Sequence, residues 1–348
     1  MRTFEIKEDF LLDGKPIKLI SGAIHYFRMT PAQWTDSLYN LKALGANTVE
    51  TYIPWNLHEP REGVYDFQGM KDICAFVKQA QALGLMVILR PSVYICAEWE
   101  FGGLPAWLLN EPMRLRSTDP RFMAKVRNYF QILLPKLVPL QITHGGPVIM
   151  MQVENEYGSY GMEKAYLRQT KELMEEYGID VPLFTSDGAW EEVLDAGTLI
   201  EDDIFVTGNF GSRSKENAAV MKEFMAKHGK NWPIMCMEYW DGWFNRWGEP
   251  IIKRDGQDLA NEVKEMLAVG SVDEEEERPN YVQISDRRPE NERNGWQLAV
   301  TQSKQFETTA GHQLSGASIR FTNQQLTTAQ GGKEPELQQT NPFLLQRF

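Results

Sequence analysis

Residues 148–157 read VIMMQVENEY: six residues without a charge, then at once two carboxylates flanking an amide. An uncharged run of four to eight residues bounded by polar ones is the pattern of a strand buried on both faces. Six further short runs read the same way, at 19–24, 48–53 (broken by the single charge of Glu50), 86–89, 183–186, 204–207 and 234–237. Amphipathic helices lie between them. Pro31 opens one after Thr30, with Trp34, Leu38 and Leu41 on one face and Gly45 as its stop. A second carries Ile73, Phe76, Val77, Ala80 and Leu83, closed by Gly84. A third starts at Asp119-Pro120, a cap and a first-turn proline, and faces inward with Phe122, Val126, Tyr129, Phe130 and Leu133. Later helices are expected over 163–177, 216–228 and 259–267. Strands that each return through a helix must pair in parallel with helices outside, so the expected fold class is α/β, a (β/α) barrel.

The chain has 348 residues, 42% of them hydrophobic, and a formal net charge of −12. That length suits one large core or two ordinary ones, and the composition excludes disorder throughout. With no excess of Lys and Arg to neutralise phosphates, a general nucleic-acid partner is excluded. Cys74, Cys96 and Cys236 make no CxxC or zinc spacing, so a reduced, cytoplasmic chain is the default expectation, without a metal ribbon. MRTFEIKEDF at the N-terminus has no apolar signal core, and no stretch of eighteen apolar residues suggests a membrane span. Nine of the ten Trp precede residue 272, after which come an acidic run at 273–277 and a stretch dense in Gln and Thr. A boundary near Ser271 follows.

Reactive residues of such a barrel sit at the C-terminal ends of its strands. The fourth strand ends in Glu154-Asn155-Glu156-Tyr157 and the seventh in Glu238-Tyr239-Trp240-Asp241. The second ends in Tyr52, Trp55, Asn56, His58 and Glu59, and the third runs through Arg90 into a loop with Glu98 and Glu100. Two opposed carboxylates among Trp and Tyr suit glycoside hydrolysis: one protonated to donate to the glycosidic oxygen, the other ionised to attack the anomeric carbon. Trp55, Trp99, Trp240 and Trp243 could stack on the CH face of a pyranose. No phosphate loop, HExxH or GxSxG competes, although acids at strand ends also serve metal-dependent barrels. Glu154 reads as a structural hydrogen-bonding group, Arg90 as an ion-pair partner that orients an acid, and Cys96 as a small pocket residue. His25 and His58 read as structural, with spacing wrong for a local metal site.

HGGPVIMMQVENEYGSYG (144–161), TYIPWNLHEPREGVYDF, RPSVYICAEWEFGGLPAWLL, LRSTDPRF, LFTSDG and CMEYWDGWFNRWGEP together resemble glycoside hydrolase family 35, the retaining β-galactosidases, in order and spacing from about Phe4 to Ser271. The resemblance implies Glu156 as acid/base and Glu238 as nucleophile. It implies galactose contacts from Tyr52, Cys96, Ala97, Glu98 and Asn155, on substrates that are β-galactoside oligosaccharides or glycan termini. Two carboxylates roughly 5 to 5.5 Å apart would act by double displacement without a cofactor.

The family continues after this point with an eighth strand of the type NLYMFHGGTNF and a TSYDYD segment, and neither occurs here. The resemblance therefore implies a (β/α)8 TIM-barrel type lacking strand eight, open between strands seven and one. The organisation expected is a barrel over 1–271, an acidic and polar linker over 272–295, and a tail over 296–348 that is short, β-rich or disordered. SDRRPENERNGWQLAV in that region resembles part of a WxL cell-wall-binding domain, implying peptidoglycan as a partner and a place at the cell surface if the tail functions. The alternative reading is a catalytically impaired carbohydrate- or cell-wall-binding protein.

Overall fold

The computed structural model describes residues 2–240, 242 and 245–269. The expected linker and WxL-like tail, Asp241 and Trp243 lie outside them. Three short antiparallel strands come first, β1 (Phe4–Ile6), β2 (Phe10–Leu12) and β3 (Lys15–Pro16). β2 turns into β3 through Asp13-Gly14, both left-handed at φ 53° and 76°, the backbone that a two-residue hairpin needs. Phe10 sets its ring edge-on against Phe205 at 5.6 Å, so this small sheet packs under the lower end of a barrel strand.

Seven parallel strands form the main sheet: β4 (Ser21–Ala23), β5 (Thr48–Tyr52), β6 (Met86–Arg90), β7 (Val148–Gln152), β8 (Leu183–Gly188), β9 (Phe205–Phe210) and β10 (Cys236–Tyr239). Their spatial order is β10-β9-β8-β7-β6-β5-β4, each strand beside its neighbour in sequence. This is the (β/α) barrel expected, with no eighth strand among the described residues. Helices return on the outside: α1 (Pro31–Ala43), the single turn α2 (Trp55–His58), α3 (Ile73–Ala82), α4 (Pro120–Leu137), α5 (Lys164–Glu176), α6 (Glu191–Gly197), α7 (Ser214–Lys227) and α8 (Gly256–Val269).

Local chemistry explains where these helices begin. Thr30 and Gln33 form a capping box ahead of Pro31; the Asp72 carboxylate accepts from Ala75 N at 2.8 Å, and Asp119 from Arg121 N at 3.0 Å. α4 buries Phe122, Val126, Tyr129, Phe130 and Leu133 at helical spacing, together with Leu134 and Leu137.

β5 to β9 are buried along their whole length, whereas β4 is largely exposed and β10 only partly buried. Among the described residues no strand pairs with the outer edge of β10 or of β4. α8 packs on α7, and its last turn reaches the far edge, where Leu267 O accepts from Lys18 Nζ at 3.3 Å. No helix among the described residues is long and apolar enough to cross a membrane.

Candidate active site

Past the end of β7 the chain passes through two left-handed residues, Glu154 at φ 57° and Glu156 at φ 45°. Such backbone costs a residue with a Cβ about 1–3 kcal/mol and persists only where neighbours fix it. Here they do. The buried Glu154 carboxylate accepts from Arg116 Nε at 3.1 Å, Arg116 Nη2 at 3.0 Å and the Tyr166 hydroxyl at 2.7 Å. Arg116 Nη2 also reaches Asn155 O at 2.6 Å. Glu156 N donates to Ser186 O on β8 at 2.9 Å, and Gly158 N to Asp187 Oδ1 at 2.8 Å. Glu154 is thus the structural acid of the motif, and its pairing with Arg116 sets the turn that presents Asn155 and Glu156.

Glu238 arrives from the other side through a register shift. Cys236 pairs with Gly208 but Glu238 with Asn209, so β10 holds one residue more than β9 here, and such bulges re-aim a side chain beside a site. Asn209 is common to both acids: its Nδ2 donates to Glu156 Oε1 at 3.0 Å, while Ser186 Oγ fixes its amide by donating to Oδ1 at 2.6 Å. Arg90, fully buried, grips Glu238 Oε1 at 2.6 Å, Asn155 Oδ1 at 2.9 Å and Glu50 Oε2 at 3.2 Å. Its guanidinium lies 3.9 Å from the centre of the Tyr52 ring. The Tyr52 hydroxyl lies 2.8 Å from Asn155 Oδ1 and contacts Glu238 Oε1, and Trp240 Nε1 donates to Glu238 Oε2 at 3.2 Å.

These surroundings drive the two carboxyls apart. Burial raises the Glu156 carboxyl; the Asn209 hydrogen bond opposes this only in part, and Glu238 adds to the rise. Burial also works against a charged Glu238, but Arg90, then the hydrogen bonds from Tyr52 and Trp240, more than compensate and hold it below the usual range. One group is suited to carry a proton, the other to stay ionised. Glu50 is pushed up to about 7 by burial, with Arg90 opposing.

Tyr52, Asn155 and Glu238 are thus joined directly, and Asn209 links Glu156 to β9. Cys96, Ala97 and Glu98 are three consecutive left-handed residues on the loop after β6, φ 55°, 52° and 45°. The loop meets the site through Ile95 O, which accepts from Asn155 Nδ2 at 3.4 Å, and is tied to Arg28, which donates to Ala97 O. Trp55 does not serve the mouth: it is buried, stacked on Tyr129 at 5.0 Å, and donates to Glu59 at 2.6 Å. It is the first residue of α2, the single turn that follows β5, and lies in the core. His58 is structural, with Nδ1 donating to Asp66 O at 2.9 Å and Nε2 left to accept from Tyr26. His25 stacks on Phe27, and burial holds its imidazole down to about 4. Among the described residues no three His, Cys, Asp or Glu are grouped as metal ligands.

Asn209, Ser186, Glu50 and Arg116 escaped the sequence reading. Asn209 carried one signal, an amide near the end of an otherwise apolar strand, FVTGNF, whose expected limit stopped short of it.

Comparison with known proteins fits this geometry. A beta-galactosidase of Felis catus is 44% identical over 276 residues, which cover 78% of this chain and 41% of that protein. One of Xanthomonas manihotis is 46% identical over 263 residues, 75% of this chain and 43% of the relative. Beta-galactosidase 17 of Arabidopsis thaliana is 41% identical over 273 residues, covering 77% and 39%. The chain thus spans about two fifths of the length of these relatives. A model of the WxL domain, surface cell wall-binding, matches residues 248–346. That of the glycosyl hydrolases family 35 matches residues 9–274, and the chain belongs to that family.

Proposed function

We propose that the chain is a retaining β-galactosidase that removes terminal β-linked galactose by double displacement. Glu238 attacks the anomeric carbon while Glu156 protonates the departing oxygen; Glu156 then takes a proton from water, which releases the sugar from Glu238 with its configuration restored. Tyr52 and Asn155 hold galactose hydroxyls, with the loop of Cys96, Ala97 and Glu98 at their side. The observation that carries this reading is the arrangement around Asn209. This residue pairs with Glu238 across one strand spacing, about 4.8 Å, and bonds Glu156, which supports the short carboxylate separation that direct attack needs.

The first sugar released from a β-galactoside, followed by proton NMR, tests it: β-galactose should appear before mutarotation, and Glu238→Gln should release none. α-Galactose as first product, or no hydrolysis by the unaltered chain, contradicts the proposal. For residues 248–346 we propose cell-wall binding with peptidoglycan as partner, on the strength of the family match. Sedimentation of the chain with Gram-positive walls supports it, and failure to sediment contradicts it.

A further inference from the structure

Trp190 belongs to no element of the site described so far. It precedes α6, and the residue is 51% exposed although its backbone is fixed: N donates to Gly188 O at 2.9 Å, and O accepts from Val193 and Leu194. The ring lies where a side chain of Gly188 would be. A Cβ there would stand 2.5 Å from Trp190 Cη2 and 2.7 Å from Cζ3.

The side of the sheet on which Gly188 opens follows from the pairing. Gly188 pairs with Asn209, and Asn209 with Glu238, so the three share one row and face the same way. Ser186, two residues earlier, faces that side too, since its hydroxyl reaches Asn209. Gly208, the residue before Asn209 on β9, faces outward, where a Cβ would meet Met221 of α7. The indole therefore lies on the inner side of the barrel, one strand from the residue that holds Glu156.

We infer that Trp190 is the platform for the leaving-group sugar, selecting β-galactosides whose aglycone is a neutral pyranose. This rests on the proposed roles of Glu156 and Glu238. An acid must face the oxygen it protonates, so the departing sugar lies on the Glu156 side of the scissile bond, toward β8. An exposed indole offers the CH face of that sugar a flat apolar surface. The adjoining Glu191 and Glu192, at the start of α6, disfavour an anionic aglycone. Gly188 is glycine because the ring takes its space.

Calorimetric titration of the chain with galactose and with a non-hydrolysable S-linked galactosyl-glucose disaccharide tests this. An aromatic contact predicts about tenfold tighter binding of the disaccharide. Trp190→Ala should lose that preference and Trp190→Phe keep most of it. Gly188→Ala, which displaces the ring while leaving the tryptophan in place, should lose it as well. A disaccharide preference that persists in Trp190→Ala, or no preference in the unaltered chain, overturns the inference. Release of galactose from the O-linked disaccharide is measured separately; its absence beside an intact preference would contradict the hydrolase reading and not the platform.

Discussion

Asn209 is where the protonation of Glu156 is tuned. Its amide donates to the carboxylate at 3.0 Å and so favours the charged form, against the burial that raises the group. Removing it leaves burial less opposed, so the carboxyl should hold its proton to higher pH. Asn209→Ala should therefore move the alkaline limb of the kcat/KM profile upward by about one pH unit, the equivalent of a single charge-assisted hydrogen bond. A profile followed with an activated galactoside checks it, and a limb that stays or falls contradicts it. Glu156, Glu238, Tyr52 and Asn155 stand out in the sequence because each ends or closely follows a run that reads as a buried strand. Arg116 does not: it sits in the irregular LRSTDPRF, far in sequence from the Glu154 it grips, and only folding brings the two together. Glu50 looked like any residue of a strand, and its role came with Arg90 beside it.

Elements with a clear period and a cap were read well; α4 and its Asp119-Pro120 start are the plainest case. β1 to β3 were missed because strands of two or three residues show no alternation, even though Asp13-Gly14 marked the hairpin. The packing of α6 against the segment after Glu156 was equally invisible, and it rests on one missing side chain. A Cβ at Gly158 would lie 2.0 Å from Val193 O and 2.9 Å from Gly197 N, backbone that cannot step aside. Gly158→Ala should cost about 1–3 kcal/mol, lowering Tm by roughly 2–4 °C per kcal/mol, and should slow turnover because the same segment carries Glu156. Gly256→Ala, with nothing within 4 Å of the new methyl, is the control, and equal Tm values for the two would contradict the packing argument.

At the scale of the molecule the described sheet continues on both sides of the strands around Glu156 and ends at β10 and β4. Glu156, Asn209 and Gly188 stand on or beside β7, β9 and β8, each with a strand on both sides, while Glu238 is on β10, an edge of the sheet among the described residues. An unpaired edge leaves N–H and C=O groups without partners and its side chains less well held. α8 ends beside Lys18, just before β4. Inserting a strand of the NLYMFHGGTNF type after Ser271 should raise Tm and increase kcat/KM by on the order of a hundredfold, since a misplacement of about 1 Å costs that much. Unchanged values would show that the open edge matters for neither. The claim on which all of this depends is that Glu238 forms a bond to the sugar. Incubation with 2-deoxy-2-fluoro-β-galactosyl fluoride, followed by peptide mass mapping, measures it: one fluorogalactosyl group is expected on Glu238 and none in Glu238→Gln, whereas a label on Glu156, or hydrolysis that proceeds with no label at all, would contradict it.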